Sequence, residues 1–197
     1  VVSDILSSFA GIRPLVRAST NSKTSKASRE HRIDTLPSGL VSISGGKWTT
    51  YRLMAAQCVD VIAANHNWHV TKSQTQQLPM QSTITAGTGP SRFGNYGKHA
   101  SALEEMINDD RSLDEPLCDH LPYKKVHCVW AIRHEMARTI EDVLARRTRA
   151  LFLNAKSARK AAPIVLDLLM RELNIDAQTG QLQLESFEKL ARIYCRN

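Results

Sequence analysis

The sequence predicts a mainly α-helical fold, in which a C-terminal helical bundle follows the last strand–turn–helix portion of an α/β domain. Two observations favour this fold class. From Phe93 onward, apolar residues recur at spacings of three and four, which is the period of a helix that buries one face. Earlier in the chain, the apolar run 40–43 stops at Gly45 and Gly46, and a helix-like run from Trp48 to Ala64 follows.

The stretch between this predicted strand and helix is a candidate anion site. Gly45 and Gly46 carry no Cβ, so a ligand can approach the backbone closely. Backbone N–H groups and the positive end of the helix point at the same place. Lys47 adds a mobile cation, and Thr49 and Thr50 add hydroxyl groups. The combination suits an electron-rich oxygen or a ring edge, although a tight turn with a helix N-cap explains the same residues.

A second candidate residue, Arg13, lies in the compact segment Ala10–Leu15. Gly11 permits unusual dihedral angles, and Pro14 biases Arg13 toward an extended backbone. We therefore expect Arg13 to be held on a stiff backbone. The segment read alone is equally typical of an ordinary surface arginine in a turn.

Composition divides the chain into three parts. The stretch from Trp68 to Arg92 is rich in Gln, Thr, Ser, Gly and Pro and has no clear period, which is typical of a linker. We therefore predict a first domain at 1–68, a linker at 69–92 with the boundary near Gly89, and a helical domain at 93–197.

The helical domain is predicted to contain five helices joined by short loops. Thr139 is expected to cap the third of them, and Gly180 to separate the last two. The predicted ranges are Tyr96–Asn108, Tyr123–Met136, Thr139–Leu151, Asn154–Leu173 and Leu182–Cys195.

The net charge of +7 is concentrated in the C-terminal third, because residues 123–197 carry 14 basic and 8 acidic groups. Such an excess is compatible with an anionic partner such as a membrane surface. The basic residues are interspersed with acidic ones, however, and aromatic residues are too few for a base-stacking platform, so no nucleic-acid partner is expected. Val1 is not a start Met, and we expect a fragment of a longer protein.

Two motifs in the helical half do not indicate a metal or ligand site. The segment His134–Arg138 begins like a zinc-protease helix, but its second histidine position holds arginine, and no metal site is predicted. The basic run Arg146–Arg149 spreads around a helix, so we expect it to pair with Glu135, Glu141 or Asp142 and to serve the packing of neighbouring helices.

Several long motifs, in the same order, resemble FAD-dependent glycerol-3-phosphate dehydrogenase. The first half contributes Gly11–Leu15, Ser28–His31 and Ser44–Arg52, and the second half contributes Asp114–Cys118, Leu121–Tyr123, Ala131–Thr139 and Glu141–Arg149. The resemblance covers nearly the whole chain and implies that residues 1–68 complete an FAD and substrate domain. It also implies oxidation of sn-glycerol 3-phosphate to dihydroxyacetone phosphate, with hydride passing to the flavin and electrons to a quinone.

The same resemblance implies roles for individual residues. Arg13 and Arg29 would face the substrate phosphate, whose geometry matches an arginine fork. Lys47 would lie between substrate and flavin as the catalytic residue. The flavin edge would contact the backbone or hydroxyl groups of the neighbouring residues, which are Gly45, Gly46, Trp48, Thr49 and Thr50.

Further expectations follow from the family alone. They are peripheral membrane association, a homodimer, and a location at the mitochondrial inner membrane in a eukaryote or the cytoplasmic membrane otherwise. The isolated fragment is expected to be inactive. Two alternatives stay open, namely a non-enzymatic helical interaction module and a relative of the amino-acid oxidases, against which the C-terminal motifs argue.

Overall fold

The computed structural model describes residues 4–12, 16, 30–78 and 92–195. The chain forms two compact units. One unit comprises Gly11–Met80, and the other combines Val1–Ala10 with Gln81–Asn197. They are referred to below as the hairpin unit and the helical unit.

The hairpin unit contains an antiparallel strand pair followed by a helix. Strand β1 (His31–Thr35) pairs with β2 (Val41–Gly45), so that His31 lies opposite Gly45. Between the strands, the N–H of Leu36 donates to the carbonyl of Leu40 at 2.8 Å. After β2, a 3₁₀ turn at Trp48–Thr50 runs directly into helix α1 (Tyr51–Asn65). The predicted strand–turn–helix is therefore confirmed.

The helical unit contains five helices, among the residues described, and its predominance confirms the predicted fold class. None of the helices in the described ranges has the combination of length and apolar character that crossing a bilayer requires. The bounds are α2 (Ala100–Asp109), α3 (Lys125–His134), α4 (Ala150–Leu153), α5 (Ala155–Leu173) and α6 (Ala177–Tyr194).

Helix α5 lies at the centre of the helical unit and packs against α3, α4 and α6. Asn154 caps it, because the Asn154 side chain accepts a hydrogen bond from the N–H of Ser157 at 3.0 Å. Pro163 lies inside α5 without ending it. The buried residues of α5 are mostly small or branched: Ala155, Ser157, Ala158, Ala161, Ala162, Val165, Leu166, Leu168 and Leu169.

Gly180 does not separate two helices, so that prediction is wrong. Helix α6 begins three residues earlier, where Asp176 accepts the N–H of Thr179 at 2.8 Å. Gly180 is buried inside α6, and a Cβ added there would lie 3.1 Å from side-chain atoms of Leu166 and Met170. The glycine therefore permits close packing of α5 against α6 and does not end a helix.

The predicted helix Thr139–Leu151 is interrupted. A π-helical turn at Asp142–Arg147 is followed by Arg149 at φ +61° and then by α4. The expected cap is confirmed, because the Thr139 hydroxyl accepts the N–H of Asp142 at 3.0 Å. The expected pairing of the basic run is confirmed at Arg146, which pairs with both Glu141 and Asp142 of its own segment, whereas its expected role in packing neighbouring helices stays a prediction.

Residues 4–10 belong to the helical unit because they hydrogen-bond to it. The Ser7 hydroxyl donates to the carbonyl of Leu151 at 2.8 Å, and the N–H of Ser8 donates to the carbonyl of Tyr194 at 3.0 Å. The Phe9 ring meets the Phe152 ring edge to face, with centroids 4.9 Å apart. The chain therefore divides after Ala10, a boundary that the composition of 1–68 does not reveal.

We predict that the helical unit loses stability in acid through His127. Its Nδ1 accepts the N–H of Lys124 at 2.9 Å, and three aromatic rings surround it. Burial lowers the pKa of His127 from 6.5, and the nearby charges of Lys124 and Arg92 lower it further. The unfolded chain therefore binds a proton first, and the free energy of unfolding should fall as the pH drops below about 6.5.

Urea unfolding followed by far-UV circular dichroism between about pH 7 and about pH 5 measures this dependence. Replacement His127→Gln keeps an acceptor for the cap and should flatten the profile. The matched change His120→Gln, at an exposed residue, should leave the pH dependence of unfolding as steep as in the unchanged chain. Equal pH dependence of unfolding in all three proteins would show that His127 does not cause the loss of stability in acid.

Candidate functional site

The turn after β2 is built from two consecutive glycines with left-handed backbones. Gly45 has φ +75° and Gly46 has φ +88°, whereas Lys47 returns to an extended conformation at φ −126°. Residues with a Cβ rarely adopt positive φ, so the turn requires glycine at both positions. The change of direction places Lys47 at the N-terminus of the 3₁₀ turn that leads into α1.

The space where a Cβ would stand at these glycines is already filled by the protein. At Gly45 it is taken by the Val16 side chain and the carbonyl oxygen of Glu30. At Gly46 it is taken by Met54, whose sulfur would lie 2.5 Å from an added Cβ, and by His31. Close internal packing therefore explains why both positions of the turn are glycine.

The N–H groups at the start of the turn are available to a ligand. Within the described ranges, no hydrogen bond uses the backbone N–H of Lys47, Trp48 or Thr49. These are the donors that a helix N-terminus leaves without an internal partner. The Lys47 side chain is exposed and forms no ion pair with a described residue. The site thus offers three unpartnered backbone donors and one exposed cation to an electron-rich group.

Thr50 has a different role from Thr49. Its hydroxyl donates to the carbonyl of Lys47 at 3.0 Å and lies 3.5 Å from the sulfur of Met54. The hydroxyl of Thr50 is therefore used to hold the turn, whereas Thr49 is exposed.

Trp48 and Tyr51 form an aromatic surface beside the N–H groups. Their ring centroids are 5.8 Å apart and their planes are inclined at 31°. Trp48 is 87% exposed and Tyr51 is 51% exposed, which is unusual for rings of this size. This surface is suited to contact with a planar ring or with further polypeptide.

The residues that support the turn were not identified from the sequence. Met54 packs on Gly46, and the His31 ring nitrogen Nε2 is 2.6 Å from the Gln57 side-chain oxygen, which joins β1 to α1. Met54 lies four residues after Thr50, so the two residues share a helix face. This spacing is the one sequence signal from which the contact could have been inferred. Arg13 and Arg29, the two predicted substrate residues, lie outside the described residues.

We predict that Gly46→Ala destabilises the hairpin unit more than Gly39→Ala. Both glycines have positive φ, +88° and +84° respectively, so each alanine should cost about 1 to 2 kcal/mol of backbone strain. A Cβ at Gly39 meets nothing within 4 Å, whereas one at Gly46 strikes Met54. The clash should add about 1 to 3 kcal/mol.

Urea unfolding in a Trp130→Phe background measures this difference, because the remaining tryptophans, Trp48 and Trp68, both lie in the hairpin unit. Adding Met54→Ala should recover part of the loss in Gly46→Ala and none in Gly39→Ala. Equal costs at the two glycines would show that Met54 does not restrict the turn.

Comparison with known proteins places these features in a family. Residues 41–180 match the family described as the C-terminal domain of alpha-glycerophosphate oxidase. Mitochondrial glycerol-3-phosphate dehydrogenase of Homo sapiens is 32% identical over 94% of this chain, and a probable mitochondrial glycerol-3-phosphate dehydrogenase of Dictyostelium discoideum is 30% identical over 85%. The chain spans 28% and 30% of the lengths of these two relatives.

A solved structure shares the fold. It is the X-ray structure of the glycerol-3-phosphate dehydrogenase from Bacillus halodurans complexed with FAD, which aligns with a TM-score of 0.68 at 21% identity. The alignment covers 83% of this chain and 37% of that protein. Since the family match includes the turn after β2 and extends through α5, the chain belongs to the family of the C-terminal domain of alpha-glycerophosphate oxidase.

Proposed function

We propose that this chain supplies part of an FAD-dependent site that oxidises sn-glycerol 3-phosphate to dihydroxyacetone phosphate. The observation that carries the proposal is the turn at Gly45–Thr49, where N–H donors without internal acceptors open beside Lys47. This turn lies inside the family-matched range 41–180. The relatives named as glycerol-3-phosphate dehydrogenases, and the solved relative complexed with FAD, support the same reading.

The chemistry of the donors fits a flavin edge. That edge presents oxygen and nitrogen acceptors, and the N–H groups of Lys47, Trp48 and Thr49 would donate to them. The exposed aromatic surface of Trp48 and Tyr51 would shield the site from water. When bound, the flavin supplies the acceptor for the hydride that leaves C2 of the substrate.

Two kinds of positive charge would act on the substrate. Lys47 would lie between the flavin edge and the substrate and favour negative charge that develops during the reaction. Arg13 and Arg29 would bind the phosphate, because a guanidinium fork stays charged and matches phosphate oxygens in pairs. No residue of this chain is proposed as the acceptor of the hydroxyl proton.

The remaining expectations complete the proposal. Residues 1–68, apart from the segment 4–10 that hydrogen-bonds to the helical unit, would contribute to the FAD and substrate domain. Residues 69–92 would form a linker, and 93–197 would form a helical cap. Electrons would pass to a quinone, which requires peripheral contact with a membrane. In a eukaryote this membrane is the mitochondrial inner membrane, and otherwise it is the cytoplasmic membrane. The protein would assemble as a homodimer.

We predict that Lys47→Met abolishes most activity without loss of FAD. The test uses a chimera in which this chain replaces the corresponding part of the human relative. Glycerol 3-phosphate oxidation is followed with a reducible dye, and FAD content by absorbance per protein. Loss of one preorganised positive group at the reacting centre should lower kcat/KM by about 100-fold or more.

The control variant is Lys72→Met, which removes the same charge from another exposed position of the hairpin unit. It should retain full turnover. If Lys47→Met also retains full turnover at normal FAD content, the assigned role of Lys47 is wrong, and a non-enzymatic helical interaction module becomes the better account of this chain.

A further inference from the structure

A cavity of about 650 Å³ opens in the helical unit, away from the turn after β2 in sequence. It is bounded by the segment leading into α2, by α2 itself and by the end of α3. Its walls include the rings of Tyr96, His99, Trp130 and His134. The volume is in the range of small-molecule sites.

Trp130 carries a hydrogen-bond donor that nothing in the described chain satisfies. The residue is 5% exposed, and its indole N–H makes no hydrogen bond to a described residue. No side-chain nitrogen or oxygen that is sealed from solvent lacks a partner among the residues described. The indole N–H is therefore accessible to solvent, and Trp130 lines this cavity. A buried ring that offers an unused donor to a cavity points to an acceptor on a ligand.

Three carboxylates line the same cavity, those of Glu105, Asp109 and Glu135. None of them forms an ion pair or accepts a side-chain hydrogen bond within the described ranges. Their neighbours behave differently, because Glu104 and Asp114 are both paired with Arg92 at 2.6 Å. Glu105 and Asp109 are exposed and Glu135 is half-buried, so the cavity presents three carboxylates that no cation of the described residues neutralises.

A metal ion does not fit this arrangement. Among the described residues, no group of three or more His, Cys, Asp or Glu side chains is placed to hold one. A ligand that contacts more than one of these carboxylates is therefore larger than a single ion, and N–H donors match their oxygens.

We propose that this cavity binds a small organic cation, a guanidinium or primary ammonium group with an oxygen acceptor close to it. The N–H groups of the cation donate to the carboxylates of Glu105, Asp109 and Glu135. The neighbouring oxygen accepts the indole N–H of Trp130. The aromatic walls contact the alkyl part and favour the cationic head. The cation is either a free metabolite-sized amine or the arginine side chain of a polypeptide.

Two guanidinium probes and one neutral control test the proposal. Argininamide, which has a guanidinium, a free amine and an amide oxygen, represents a free cation, N-acetyl-arginine amide represents an arginine within a polypeptide, and N-acetyl-citrulline amide has the shape of the latter without the charge. Binding to the full chain is followed by the indole N–H resonance of Trp130, identified by its loss in Trp130→Phe. At least one guanidinium probe should shift this resonance in a saturable way, and the citrulline probe should not.

The source of the cation follows from which probe binds. Binding of argininamide alone assigns the site to a free amine, and binding of N-acetyl-arginine amide assigns it to a polypeptide arginine. No saturable shift with either guanidinium probe overturns the proposal, as does equal binding of the citrulline probe.

Charge variants locate the binding within the cavity. The double variant Glu105→Gln/Asp109→Asn should weaken binding of the guanidinium probe about tenfold or more, because it removes two charge-assisted hydrogen bonds. Asp167→Asn, at an exposed position of α5 that does not line the cavity, is the control and should bind as the unchanged chain does. Circular dichroism confirms that each variant is folded. Equal affinity in the double variant and the control overturns the proposal.

Discussion

The close packing of α5 against its neighbours is the constraint on which the helical unit depends. Alanines along one face of α5 bring neighbouring backbones near enough for its branched residues to fill the remaining space. The same requirement explains Gly180, because even a methyl group at that point would press on Leu166 and Met170. Larger side chains at these positions would force α3, α4 and α6 away from α5.

Most of the architecture was predictable because it depends on local signals. Apolar spacing revealed the long helices, and the apolar run ending in glycines revealed the strand–turn–helix. Predictions failed where tertiary packing overrides those signals. Gly180 resembles a helix terminator in sequence, yet its meaning depends on a partner helix. The π-helical turn at Asp142–Arg147 leaves no periodic signal at all.

The candidate site shows a similar division. The N–H groups near Lys47 follow from the order strand, glycines, helix, and could be inferred from sequence. That Met54 occupies the space beside Gly46 could not, because the contact depends on where α1 turns back over β2. The cavity around Trp130 was equally hidden. Its rings and carboxylates are dispersed between residues 95 and 135, and the motif that contains His134 was considered only as a zinc-protease helix, which its sequence does not complete.

The hydrogen bond from Ser7 to Leu151 spans 144 residues, and this separation has a consequence for folding during synthesis. Residues 4–10 leave the ribosome long before the helices they bind exist. Until then Leu6 and Phe9 lack their partners, and both remain largely exposed even in the folded chain. The contacts of residues 4–10 with the helical unit therefore close a long loop late, and contacts of such sequence separation are expected to slow the completion of the fold.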